Sequence, residues 1–527
     1  MRIKTIKIKN FRSYKDEVKI EFGDLTAFVG KNDIGKSTVL EALDIFFNDG
    51  KGVIKLDKDD VNKQALADGD TETVFSVCFG DLPTNIIIDS TNQTTLQAEY
   101  LLNSNNQLEV IKKYSNGGKE KVFVKANHPT GDTCKDLLLK KNTDLQKLIR
   151  DNAIACSNQT INAVMRTSIW QHFTTDLQLA EIEIDVTKGD TKSIWDKLQT
   201  YLPLYSLFQS DRKNSDGDNE VQDPLKEAVK QILNDATLKA KFDEIATEVK
   251  NQLQDVATRT LAKIQEMNPD VASSLNPVIP STESLKWADV FKNVSIAGDE
   301  NISINKRGSG IKRLILLNFF RAEAERRKLQ ENIPSIIYAI EEPETSQHTE
   351  HQKKLIKAFF DLSNTANTQV IITTHSATLV KELEFQHLRL IKSNSGTKTI
   401  ENVLPNSLPY PSLNEVNFLA FSEITEEYHN ELYGYIELEG EMTNYRNGKT
   451  TMSYNRLKKD GVTIITESII LTDYIRHQIH HPENTNNPRY TFTQLTDSIN
   501  LMRTFIQNLT LSPLPVMAPA RPNNLET

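Results

Sequence analysis

Leu25-Thr26-Ala27-Phe28-Val29-Gly30-Lys31-Asn32-Asp33-Ile34-Gly35-Lys36-Ser37 is the stretch whose reading decides the fold of this chain. A short apolar run, the pattern of a buried strand, passes into a loop spaced Gly-(four residues)-Gly-Lys-Ser. Lys36 to Phe47 then reads as a helix that stops at the turn signal Asn48-Asp49-Gly50. Strand, glycine loop and helix together are the context a phosphate-binding loop requires. The glycines let backbone N–H groups turn towards phosphate oxygens, and the helix that starts at Lys36 adds its positive end. Lys36 would reach the β- and γ-phosphates, and the Ser37 hydroxyl would hold Mg²⁺. The candidate nucleotide-binding residues here are Gly30, Lys31, Asn32, Asp33, Ile34, Gly35, Lys36, Ser37 and Thr38, and the expected cofactors are ATP and Mg²⁺.

Three further pieces lie far downstream. Ile336-Ile337-Tyr338-Ala339-Ile340 has the composition of a buried strand and ends in Glu341-Glu342-Pro343-Glu344. Carboxylates at the C-terminal end of a parallel strand face the crevice where ligands bind, and two adjacent charges after five apolar residues are costly unless used. One acid can hold the metal and the next can orient the attacking water. Gln369 to Thr374 is a second such strand, followed by His375, a candidate contact to the γ-phosphate. Arg307-Gly308-Ser309-Gly310 precedes a helix expected from about Ile311 to Lys328, so its small residues make an anion site, or an ordinary helix cap.

Order and residue types together resemble the head of an ABC-type ATPase of the RecF/SMC/OLD group. Ile8-Lys9-Asn10-Phe11-Arg12-Ser13-Tyr14 is similar to that group's N-terminal strand signature. The resemblance implies that Arg12 lies near the nucleotide phosphates. It also implies that Arg307, Ser309 and Gly310 form the signature motif, that Glu341 is the metal acid and Glu342 the catalytic base, and that His375 is the switch histidine. Glu341 stands where most of these proteins place aspartate. In this group the signature motif of one head completes the site of another, which implies a head-to-head dimer or higher oligomer.

The implied fold class is an α/β ABC ATPase head, a mixed sheet with a phosphate-binding loop, carrying a helical insertion and followed by a mainly α C-terminal domain. The head is expected over 1–85 and 290–395. An insertion with strands and a helical segment is expected over 86–289. A length of 527 residues leaves room for this many parts. Residues 3–8 and 17–22 read as a hairpin, and Thr73–Phe79 and Ala98–Leu102 as further strands. Pro224–Met267 reads as an amphipathic helical pair or a protruding coiled-coil arm, and 211–218 as a polar loop. Leu404–Leu413 holds three prolines and is a plausible linker. A helical domain over 405–510 and a Pro-rich tail over 511–527 follow. No run approaches the length of a membrane span, so no membrane partner is expected. The three cysteines, without metal or disulfide spacing, suggest a reducing cytoplasm. A net charge of −9 argues against a surface coated in nucleic acid, which weakens the reading as a RecF-like DNA-repair ATPase.

The C-terminal third carries a different signal. OLD nucleases continue into a Toprim domain that needs an Asp-x-Asp set, and none occurs after residue 395. Instead, Thr466–Ile479 reads as a helix with Arg476 near its end and His481 five positions later. That spacing resembles the catalytic motif of HEPN ribonucleases, which implies phosphate stabilisation by Arg476 and acid–base work by His481, without metal. A structural helix end favoured by the dipole, an inactive HEPN-like docking domain, or a metal site at His477, His480 and His481, are the other readings. Two functions are therefore expected from the sequence. One is an ATP-gated anti-phage or toxin-type effector that cleaves RNA, such as tRNA. The other is a non-nuclease ATPase scaffold that oligomerises and holds a separate nuclease or toxin subunit.

Overall fold

A computed structural model describes residues 1–32, 34–49, 52–88, 92–187, 191–209, 233, 235–267, 335–345, 349–394, 397–403, 406–410, 412–458 and 461–511. Asp33, the loop 211–218, Arg307, Ser309, Gly310, the helix expected over 311–328 and the tail beyond 511 lie outside the described residues. The chain forms two compact units, Met1–Thr26 with Ser37–Thr373, and Ala27–Lys36 with Thr374–Thr527.

The first unit opens with β1 (Arg2–Lys9), β2 (Val18–Glu21) and the start of β3 (Leu25–Val29), then α1 (Lys36–Asn48) and α2 (Lys63–Ala67). Next come β4 (Glu72–Gly80), β5 (Leu108–Ser115), β6 (Glu120–Pro129), α3 (Asn142–Asp151), α4 (Asn162–His172) and β7 (Leu179–Asp185). It closes with α5 (Thr191–Leu198), β8 (Leu204–Phe208), α6 (Ala236–Met267), β9 (Ile336–Glu341), α7 (Thr349–Ser363) and β10 (Thr368–Thr374). The expected N-terminal hairpin is present, with Thr5 opposite Glu21, and it grows into an antiparallel sheet ordered β2-β1-β4-β5-β6-β7. The strands β8, β9 and β10 pair in parallel. Their apolar residues are buried on both faces, which matches the unbroken hydrophobic runs Ile336–Ile340 and Val370–Ile372. Helices α3 and α4 enclose a satellite core of Leu145, Ile149, Met165, Ile169 and Trp170, whose indole N–H donates to the Cys134 carbonyl at 3.1 Å.

Ala98–Leu102 is a series of turns and not the strand its composition suggested. The N–H groups of Glu99, Tyr100 and Leu101 bond locally, to the carbonyls of Thr95, Gln97 and Leu96, and not to a neighbouring strand. Glu99 points inward to a buried ion pair with Arg166 at 2.7 Å.

In the second unit β3 runs parallel to β11 (Leu388–Asn394), which is antiparallel to β12 (Thr397–Asn402), a mixed arrangement. The short α8 (Ala377–Val380) precedes them. The rest is α9 (Leu413–Phe421), α10 (Glu426–Leu438), α11 (Met442–Arg446), the hairpin β13 (Thr451–Leu457) and β14 (Ile464–Ile470), α12 (Leu471–His480) and α13 (Phe492–Leu511). Tyr428, Leu432, Ile436, Ile475, Ile499, Met502 and Ile506 make its core. Leu408, inside the proline-punctuated stretch, is fully buried in that core, and Ser407 N–H donates to the Glu415 carboxylate at 2.9 Å. The helix expected from Thr466 begins only at Leu471. Thr466–Ile470 instead belongs to β14, where β-branched Ile464, Ile465, Thr466, Ile469 and Ile470 suit an extended backbone.

Candidate nucleotide site

The glycine loop is built from backbone that only glycine adopts without strain. Gly30 has φ 155° and Gly35 φ 104°. A Cβ on Gly30 would stand 3.0 Å from the Ile34 side chain and 3.2 Å from the Ile391 carbonyl, so a larger residue there would also require these neighbours to give way by a few tenths of an ångström. Lys31 and Asn32 are exposed, Ile34 and Gly35 half-buried. Lys36, which opens α1, is buried, and its ammonium donates to the carbonyls of Gly30 and Lys31 at 2.9 Å each. The loop thus holds its own cation against its mouth, where a phosphate oxygen would compete with two neutral carbonyls for it.

In the first unit, α1 continues through Ser37 and buried Thr38. The Ser37 hydroxyl donates to the carboxylate of Glu341, the last residue of β9. A hydroxyl and a carboxylate are hard oxygen donors of the kind Mg²⁺ takes, and one or two protein oxygens are its usual share in a phosphate site. The donor set therefore fits the metal. Behind it, Tyr205 on β8 donates its phenol to the Leu40 carbonyl at 2.6 Å and stacks on Phe47 of α1 at 5.5 Å. Burial pushes that phenol well above its ordinary range, and the charges of Asp44 and Glu341 push it the same way. It stays a neutral donor beside the acidic strand end.

Glu342 leaves the strand in the left-handed region, at φ 41°. Its N–H donates to Thr373 twice over, to the carbonyl at 3.0 Å and to the hydroxyl at 3.2 Å. Strained backbone of this kind persists only where the surroundings over-determine it. Here the buried Thr373 of β10 does so, by holding the Glu342 N–H from the neighbouring strand.

Arg12 also has positive φ, 48°, and its N–H donates to the Asp60 carbonyl at 2.7 Å. Its guanidinium is paired with Glu41, one helical turn beyond Ser37 on α1, and with the Asp60 carboxylate at 2.7 Å. Neither carboxylate was singled out from the sequence. Glu41 was findable, since position i+4 from Ser37 lies on the same helix face. Asp60, Thr373 and Tyr205 had no local signal.

His375 is exposed and follows β10 directly in the second unit, just before Ser376, whose hydroxyl caps α8 by accepting from Leu379 N–H at 3.2 Å. Arg476 and His481 have separate partners. Arg476 lies over the Tyr433 ring at 4.2 Å and donates to Asn430 at 3.2 Å, both on α10. His481, at the end of α12, bonds to Glu483 at 3.1 Å. His477 stacks on Tyr454 with centroids 5.2 Å apart, and burial lowers its pKa.

Residues 1–380 match the model of the family described as the AAA ATPase domain. The chain is 22% identical over 404 residues to the OLD nuclease of Thermus scotoductus, covering 76% of this chain and 63% of that protein. It is 24% identical over 451 residues to Endonuclease GajA of Bacillus cereus, covering 72% of this chain and 58% of that one. The chain thus spans under two thirds of the length of either relative. Among solved structures, an SMC head domain from Thermotoga maritima aligns at 13% identity and TM-score 0.32, covering 77% of this chain and 100% of that one. An Smc head with an extended coiled coil, bound to the C-terminal domain of ScpA derived from Pyrococcus furiosus, aligns at 11% identity and TM-score 0.38, covering 76% and 95%.

Proposed function

This chain belongs to the AAA ATPase domain family, and we propose that it binds ATP with Mg²⁺, hydrolyses it, and uses the cycle to switch an anti-phage or toxin-type effector. The observation that carries the reading is the contact of Ser37 with Glu341, two residues distant in sequence that together offer Mg²⁺ its oxygen donors. Mg²⁺ would supply charge neutralisation at the phosphates. Lys36 exchanges its two loop carbonyls for phosphate oxygens. Glu342, held at its N–H by Thr373, orients and deprotonates the attacking water. Arg12, braced by Glu41 and Asp60, ties the N-terminal strand to α1 and carries its charge beside the phosphate end of that helix. Arg307, Ser309 and Gly310 act on the nucleotide of a second head, so the working unit is a dimer of heads or larger.

The nuclease names of the two relatives support an effector of that class. For the C-terminal unit, the reading as a holder of a separate nuclease or toxin is favoured over RNA cleavage. Arg476 is engaged by Tyr433 and Asn430 while His481 is engaged by Glu483, so one chain does not converge them on a phosphate. The test is phosphate release by the purified chain in Mg-ATP, with total tRNA present in a parallel reaction. We expect Mg²⁺-dependent turnover that Glu342→Gln removes, and intact tRNA. Failure of the wild-type chain to bind ATP would overturn the ATPase reading. Cleaved tRNA that survives intact with Arg476→Ala would restore the ribonuclease reading.

A further inference from the structure

In the second unit, the ribbon of β11 and β12 faces α9 across a cavity of about 190 Å³. Strand alternation puts Leu390 and Lys392 on one face of β11, and the antiparallel register sets Glu401 of β12 opposite Leu390. Glu415, Val416 and Leu419 meet them from α9, at spacings that share one face of a helix. Leu390, Val416 and Leu419 make the wall apolar, and three side chains bring charge to it. Two of the three answer each other, since the Lys392 ammonium donates to the Glu401 carboxylate at 2.8 Å. The third is Glu415, which is 2% exposed and has no ion-pair partner. Its Oε1 accepts from Ser407 N–H at 2.9 Å and from the Tyr428 hydroxyl at 3.0 Å. Its Oε2 accepts from no described group and is not sealed by protein atoms, so it opens into the cavity that Glu415 lines. Arg503, which shares Tyr428 as a neighbour, is engaged elsewhere: it donates to Asn406 at 3.2 Å and lies over the Phe418 ring at 4.3 Å.

A carboxylate kept from water is costly until a donor or a cation meets it. What meets Oε2 must fit a volume equal to that of about six water molecules. A bare metal ion does not suit the place, because it needs several oxygen donors and no group of three or more acidic, histidine or cysteine ligands occurs among the described residues. A guanidinium prefers both oxygens of a carboxylate, and Oε1 already holds two donors. A compact ammonium needs only the one oxygen that remains. The apolar wall suits a hydrocarbon body behind that charge, the usual build of a small-molecule site. We propose that this cavity binds a primary ammonium on a short alkyl chain, with the ammonium on Glu415 Oε2 and the chain against Leu390, Val416 and Leu419. The site uses no residue assigned to the nucleotide and does not depend on the ATPase reading.

The test is saturation-transfer NMR of butylamine on the full chain at neutral pH, where an alkylamine is protonated. 1-Butanol serves as the uncharged molecule of the same shape. Butylammonium is expected to bind saturably, and butanol at least about tenfold more weakly. Glu415→Gln keeps the size of the side chain, and its carbonyl oxygen can still accept from Ser407 and Tyr428. It should therefore fold and lose butylammonium by a similar factor. Leu419→Trp, at a half-buried position, fills the cavity from its wall and should exclude both molecules. That arm decides the matter even where Glu415→Gln unfolds. A wild type without saturable binding would overturn the proposal. Equal binding of butylamine and butanol would leave only an apolar void, and binding that survives Leu419→Trp would lie elsewhere on the chain; either result also overturns it. Butylammonium is the tip of a lysine side chain as well as a free amine. Nα-acetyl-lysine methylamide that binds more tightly than butylamine would support the site with a peptide lysine as its source, and no tighter binding would support it with a free amine.

Discussion

Ser37 and Glu341 stand 304 residues apart in the chain, and the hydroxyl of one donates to the carboxylate of the other. The first sits on the opening turn of α1 and the second on the last residue of β9. A charge-assisted bond of this kind contributes roughly 1.5–3 kcal/mol. Replacing Ser37 by Ala removes one metal donor and leaves Glu341 without its hydroxyl. We expect ATP affinity in Mg²⁺ to fall about 10- to 100-fold, with affinity in EDTA much less affected. Titration calorimetry in the two buffers checks this. Ser37→Thr, which keeps the hydroxyl, should restore the Mg²⁺ dependence.

Lys36 and Glu342 separate binding from turnover. Lys36→Ala takes away the buried ammonium held against Gly30 and Lys31, and nucleotide binding should be lost. Glu342→Gln keeps the shape and the Thr373 bonds, which come from the backbone. It should bind ATP as tightly as the wild type and turn over about 10² to 10⁴ times more slowly. Pre-steady-state phosphate release alongside a binding titration distinguishes the two. Equal loss of binding in both variants would contradict the assigned roles.

The backbone of Glu342 allows a third test. At φ 41° a non-glycine residue carries strain of about 1 kcal/mol, which glycine does not. Glu342→Gly should therefore unfold at a temperature equal to or above that of Glu342→Ala while both are inactive. If Glu342→Ala is the more stable, the left-handed geometry is not strained in solution.

How much of this was legible beforehand depends on whether the signal was local. The glycine loop and the run Ile336–Glu341 are contiguous, so spacing and an apolar run ending in acid were enough to place the strands β3 and β9 and the helix α1. Arg12 was named only through the resemblance of the N-terminal stretch to a known group, and Glu41 and Asp60, which fix its guanidinium, come from a helix and a loop that only folding brings to it. Thr373 was hidden because its task is done by its side-chain hydroxyl and its backbone carbonyl, which accept from Glu342 N–H on the neighbouring strand. The hairpin was misread for a different reason. Ile469, Ile470, Tyr474 and Ile475 fit a helical spacing, and that pattern runs over the junction at Ile470 without a glycine or proline to mark it. Ala98–Leu102 failed as a strand because Glu99 is drawn inward by Arg166, a long-range pair that alternation cannot reveal.

Acid should weaken the second unit through His429. The ring is fully buried on α10, with Nε2 bonded to the Ser498 hydroxyl of α13 at 3.0 Å. Burial, reinforced by the positive charge of Arg476 and by His480 on α12, lowers its pKa to about 4. The ordinary value for a histidine is about 6.5, so the unfolded chain takes up the proton before the folded one does. The stability that follows from keeping this ring neutral is complete above pH 6.5 and is lost as pH falls towards 4. Full loss corresponds to about 3 kcal/mol as an upper bound. Denaturant midpoints of the second unit, followed between neutral pH and pH 4.5, should fall more steeply in the wild type than in His429→Leu, which has no proton to take. His128, buried in the first unit with its pKa also lowered by desolvation, is untouched by that substitution. A His429→Leu chain that keeps the wild-type slope would assign the acid sensitivity to another group.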